Sequence, residues 1–103
     1  MALPLVFAAT AADAAEKSGR VRGKELVTTH CAGCHAVGRS GASPDEQALP
    51  FRVVARRYPP AALEEALAEG ISTGHAEMPE FIFEPPQIAA IVSYLNSLRL
   101  NRR

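Results

Sequence analysis

At 103 residues the chain is bounded to one domain, too short to bury a large apolar core without some form of staple. Eleven Lys or Arg balance eleven Asp or Glu, and a net charge of zero gives no support to nucleic acid or an anionic membrane as a partner.

The first stretch, Met1 to Ala15, reads MALPLVFAATAADAA. It is apolar, Ala-rich and carries A-x-A spacings such as Ala12-Asp13-Ala14, the look of a secretory signal peptide ending at its cleavage site. Cleavage is expected after Ala14, leaving residues 1–14 as leader and 15–103 as the mature domain. No Lys or Arg precedes the apolar run, so either the signal starts upstream of Met1 or it is a weak one. A helical or disordered Ala-rich N-terminus is the plainer alternative. The run is too short to span a bilayer, and no membrane span is expected in the mature chain.

Gly19 to Cys31, GRVRGKELVTTHC, reads as a helix. Gly23, Leu26, Val27 and His30 recur at i, i+3, i+4 and i+7, the spacing of one helix face. A glycine inside a helix costs roughly 1 kcal/mol against alanine. Gly23 is easier to explain if a second helix passes close to it.

The helix leads into Cys31-Ala32-Gly33-Cys34-His35. C-x-x-C-H is the attachment signature of a c-type haem. Two thiols three positions apart can reach the two vinyl groups on one edge of a porphyrin, and the following histidine is then placed beneath the iron. Small residues at Ala32 and Gly33 let the backbone lie close against the macrocycle. Other readings of the same residues are weaker. A thioredoxin-like dithiol needs a βαβ setting, and no strand-like alternation flanks this stretch. A structural zinc needs four ligands at a recognisable spacing, and only His30 and His75 remain to join the three residues here. Chance is the last alternative. A covalently held, mostly apolar cofactor would also staple a chain this small, and it fits the absence of Trp.

With this motif the chain resembles the class I cytochromes c, over about residues 19 to 100. The resemblance implies an all-α cytochrome c fold, three main helices and loops wrapped around one covalently bound haem c per chain. It implies thioethers at Cys31 and Cys34 and an axial imidazole from His35. It implies export as well, because the family acquires its haem outside the cytoplasmic membrane, so a periplasmic location is expected. In the family a glycine and, four residues on, an aromatic of the first helix cross the last helix. Gly23 matches the glycine, while Val27 stands in the place of the aromatic.

After His35, the segment AVGRSGASPDEQALPF has the composition of a loop. A ligating imidazole needs an acceptor at its other nitrogen to fix its tautomer and strengthen its basicity, and in the family a proline carbonyl of this loop supplies it. Pro44 and Pro50 are both candidates. Pro50 is preferred, because Pro-Phe before a short apolar run resembles the family's Gly-Pro-x-Leu turn; either proline could instead only shape the loop. In FRVVARRYPP, Arg52, Arg56, Arg57 and Tyr58 lie close together. Haem propionates need charged or hydroxyl donors, and Arg52 and Tyr58 are candidate haem contacts. Solvated surface arginines are the simpler reading.

Pro60 to Gly70 is expected to be a short helix, with Leu63, Ala66 and Leu67 inward, Glu64, Glu65 and Glu69 outward, and Gly70 as the stop. In ISTGHAEMPEF, Pro79 drives Met78 out of the α region. The family carries its axial methionine on such an extended loop, so Met78 is the sixth ligand by resemblance. Core packing is the alternative for a methionine, and His75 is the rival ligand. Pro85-Pro86 opens the last helix, in which Ile88, Ile91, Val92, Leu95 and Leu98 form one stripe with Tyr94 beside it. The run I-V-S-Y-L resembles the family's last helix, whose aromatic meets the glycine of the first.

Two axial ligands leave no open iron position, an arrangement suited to electron transfer rather than substrate activation. The resemblance therefore implies an electron carrier rather than an enzyme. It would be a monomer passing one electron between a dehydrogenase or quinol-oxidising complex and a terminal acceptor, through transient contacts with redox partner proteins. A haem peroxidase or gas sensor with an open sixth position, and a haem subunit of a larger oxidoreductase complex, are the alternatives. The neutral total hides an asymmetry: Ala15–Arg57 carries eight basic residues against four acidic, and Tyr58–Arg103 three against six.

Overall fold

The structure, a computed structural model, describes residues 10–70, 78 and 81–100. The part of the expected leader before Thr10, the rival ligand His75, Pro79 and the tail after Leu100 lie outside the described residues. Four helices follow one another in the chain: α1 (Ala11–His30), α2 (Phe51–Arg57), α3 (Pro60–Glu69) and α4 (Pro85–Leu100), and no strand occurs among the described residues.

α1 starts well before Gly19. Thr10 caps it, its Oγ1 accepting from the Asp13 N–H at 3.2 Å, and Asp13 sits in the first turn where a carboxylate opposes the positive helix end. The helix thus runs through Ala12-Asp13-Ala14, the expected cleavage site. Residues 10–18 are all exposed, so among the described residues a cut after Ala14 would remove no buried side chain. Packing begins one turn later, and its centre is the crossing of α1 over α4. A Cβ built on Gly23 would lie 2.7 Å from the Ala90 carbonyl carbon and 2.8 Å from Tyr94 Cβ, and it would overlap the Ala90 carbonyl oxygen. Only a bare backbone fits there, which is the physical reason for a glycine in mid-helix. Val27, fully buried, keeps an apolar contact at the place where the family carries an aromatic.

Along α4 the inward face is turned slightly from the expected stripe. Ile88, Ile91, Leu95 and Leu98 are buried, but so are Ala90 and Tyr94, while Val92 is only partly covered. The crossing decides this, because a small residue must face Gly23. The start of α4 is well prepared: Pro85 and Pro86 bring no N–H to be left without a partner, and Gln87 Oε1 accepts from the Glu84 N–H at 2.8 Å. α3 matches its expected bounds. Gly70 follows its last turn with φ +79°, in the left-handed region that favours glycine.

α2 was not expected as a helix. Its seven residues include Val53 and Val54, which are poor helix formers. It forms because Phe51 and Ala55, one turn apart, both bury in the shared core, and because Pro50 supplies its first carbonyl acceptor. No helix among the described residues is long and apolar enough to cross a membrane.

Candidate haem site

The C-x-x-C-H residues form one tight turn that closes α1. The N–H groups of Cys31 and Ala32 both donate to the Val27 carbonyl, at 2.8 and 3.0 Å, and those of Cys34 and His35 both donate to the Cys31 carbonyl, at 3.2 and 2.9 Å. The turn therefore inherits its direction from the last turn of α1, which buried Val27 anchors. The Gly- and Ser-rich loop behind it is held at several points. The Asp45 N–H donates to the Cys34 carbonyl at 3.1 Å, the Ala36 N–H to Ser43 Oγ at 3.0 Å, and the Phe51 N–H to the Ala36 carbonyl at 2.8 Å. From α4, the Tyr94 hydroxyl donates to the Val37 carbonyl at 2.6 Å. A loop by composition is here a fixed frame around His35.

That frame orients the imidazole. His35 Nδ1 lies 2.7 Å from the Leu49 carbonyl. A carbonyl can only accept, so Nδ1 carries the proton and the lone pair is left on Nε2, the form a metal-binding histidine takes. The acceptor is Leu49 and not Pro50. The Pro50 carbonyl already accepts from the N–H groups of Val53 and Val54, at 2.9 and 3.1 Å, as the start of α2. The ring of Phe51 packs on the imidazole at 4.8 Å between centroids and fixes its tilt.

His35 faces a cavity of about 390 Å³ enclosed by all four helices. α1 contributes Val27; the motif turn, Cys31; α2, Phe51 and Val54, with Tyr58 just beyond it; α3, Leu63, Ala66 and Leu67; and α4, Ile91 and Leu95. Met78, Phe81 and Phe83 complete the wall. An apolar cavity with one imidazole, one thiol and one thioether on its surface has the donor set and the walls that a haem requires. Burial pushes the Cys31 thiol up to about 11. A thiol so protonated is a poor redox nucleophile, which argues against the dithiol reading.

Of the sequence candidates, Cys31, His35, Tyr58 and Met78 meet at this one cavity. Cys34 is exposed and is not among the residues that line the cavity. Arg52 does not line the cavity: its Nη1 donates to the Gly41 carbonyl at 2.7 Å, so this guanidinium holds the loop instead. Pro50 is also absent from the lining, being engaged at the head of α2. Sequence reasoning missed Phe81 and Phe83. Phe81-Ile82-Phe83 is an unbroken apolar run, so no apolar/polar alternation marked the two phenylalanines as the inward pair; the run itself, set between Pro79 and Pro85, was the available signal.

A helical shell around one apolar cavity, with C-x-x-C-H at the end of the first helix, defines a haem-binding class of fold. The family model for cytochrome c matches residues 21–99, and the chain belongs to that family. Its cofactor is accordingly a covalently bound haem c, and the domain supports haem-based electron transfer. No curated protein and no solved structure matches the chain.

Proposed function

We propose that this protein is a periplasmic, monomeric, single-haem electron shuttle whose iron is ligated by His35 and Met78 and whose porphyrin is tethered by Cys31 and Cys34. The observation that carries the reading is the meeting of Met78 with His35 on one cavity. Haem bound there supplies reversible one-electron storage at its iron. His35 presents Nε2 because Leu49 holds the opposite nitrogen. Met78 supplies a soft thioether, and the apolar walls exclude water; both favour the less charged ferrous iron and raise the potential. With His35 and Met78 both holding the iron, a bound haem would offer no site for a substrate at the metal, so the chain would carry electrons rather than transform a third molecule.

Donor and acceptor would be a dehydrogenase or quinol-oxidising complex and a terminal oxidase, reductase or peroxidase, met transiently and steered by charge. Tyr58, at the cavity edge and half exposed, is the remaining candidate for a propionate contact.

The oxidised protein should show the absorption band near the red end of the visible that reports a sulfur–iron bond. Met78→Ala should keep covalent haem, lose that band, drop in potential and bind carbon monoxide when reduced. Wild-type protein that binds carbon monoxide freely would overturn the carrier reading. His75→Ala is the control, because the same losses there would move the ligand to His75.

A further inference from the structure

The last residue of α1 has a role that the electron-carrier reading does not assign. His30 was expected on the inward face of the helix, yet it is exposed and lies outside the cavity lining. It is nonetheless engaged. Its ring meets Phe81 at 5.7 Å between centroids with the planes 61° apart, and Phe83 at 5.6 Å with the planes 72° apart. Phe81 and Phe83 stack on each other at 5.7 Å and 23°. Both phenylalanines line the cavity, while Ile82 between them is 91% exposed. The segment is thus extended, with alternate side chains on opposite sides. Its inner side is backed by an imidazole at the point where α1 hands over to Cys31.

We propose that His30 is a positioning residue: edge-on contact with Phe81 and Phe83 pins the segment that follows Met78 to the end of α1 and so holds the sulfur at the cavity. The inference rests on Met78 being the sixth ligand. Its physical basis is the geometry of the cluster. Edge-to-face aromatic pairs add stability beyond their buried area, and three rings in mutual contact fix a short extended stretch that has no ladder of backbone hydrogen bonds to the other described residues. The pin joins the two sides of the site directly, because Cys31 is the residue after His30 and Met78 lies three residues before Phe81.

The test uses the holoprotein with His30→Ala and His30→Phe, the second keeping a planar ring. Three quantities are read: the sulfur–iron band, affinity for added imidazole in the oxidised form, and exchange of the backbone amides of residues 81–84. His30→Ala should weaken the band, raise imidazole affinity about tenfold and speed exchange at 81–84 by a similar factor, for the loss of two ring contacts. His30→Phe should restore all three towards wild type. Unchanged exchange in His30→Ala overturns the pin. Faster exchange with the band and imidazole affinity at their wild-type values overturns the positioning role. Failure of phenylalanine to rescue overturns its aromatic basis. A wild-type protein without the band would instead defeat the Met78 assignment, and amide exchange would still judge the pin.

Discussion

Where α1 crosses α4, backbone lies against backbone: Gly23 has no room for a Cβ beside Ala90, and Val27 next to it is fully buried. On the other side of the molecule, the apolar faces of α2 and α3 turn towards a cavity of about 390 Å³ rather than fully against other side chains. At Gly23 the first region closes on protein atoms alone, those of Ala90 and Tyr94. The second presents Phe51, Val54, Leu63 and Leu67 to a space that haem c is suited to fill, so its order should depend on the cofactor far more than the crossing does.

The largest effect should come from untethering the haem. In a Cys31→Ala, Cys34→Ala double variant, little stable holoprotein should form, and none should carry haem through denaturing electrophoresis. Amide exchange sharpens the comparison: α2 and α3 should lose protection while the α1–α4 crossing keeps part of its own. Equal loss in all four helices would show that the two regions are one cooperative unit.

Next in size is Gly23→Val. The obstacle is the Ala90 backbone, which cannot swing aside as a flexible side chain can, so the cost should be about 3 kcal/mol, the upper end for overpacking. Denaturant unfolding of the two holoproteins measures it, and unchanged stability would refute the close crossing.

Tyr94 bridges the two regions, its ring buried in the core and its hydroxyl bonded to the loop that carries His35. Tyr94→Phe should cost about 1 kcal/mol near neutral pH, the loss of one hydrogen bond to the Val37 carbonyl. Burial raises the phenol above its ordinary value of 10.0, with Arg39 pulling partly back. The neutral phenol is thus the form that the fold prefers. Its contribution is fully present below about pH 10 and is lost as pH climbs through the raised folded value. The stability gap between wild type and Tyr94→Phe should therefore shrink in alkali, as thermal unfolding across that range would reveal.

The smallest effect should have the opposite sign. A Cβ at Gly19 would meet Ser93 Oγ at 3.5 Å and Ser93 Cβ at 3.7 Å, which is ordinary contact. Gly19→Ala should then gain most of the propensity difference, up to about 1 kcal/mol of added stability by chemical denaturation. Two glycines one turn apart, both facing α4, would respond in opposite directions because only Gly23 has backbone where a Cβ would go.

Much of this was readable in the chain because it rests on local chemistry or on period. C-x-x-C-H announces a thioether-bound haem by residue type and spacing alone. The 3.6-residue recurrence marks α1 from Gly23 onwards and the apolar stripe of α4, and Pro60 and Gly70 bound α3. The mid-helix glycine pointed to a crossing for a reason of energy, since a destabilising residue must be repaid by something outside its own helix.

Tertiary structure decided the rest. α2 carries a weak helical signal and exists because Phe51 and Ala55 find a core to enter. The acceptor for His35 is a backbone carbonyl, and every residue has one, so no side chain could single out Leu49 over Pro50; the head of α2 makes that choice by engaging the Pro50 carbonyl first. Arg52 bonds Gly41 because folding brings the loop beneath it. His30 meets Phe81 and Phe83 across a sequence gap of about fifty residues, a distance that no local pattern spans. Residue type and period are properties of the chain itself, whereas the partner of a carbonyl, a guanidinium or a surface ring is set only by what the fold carries to within reach.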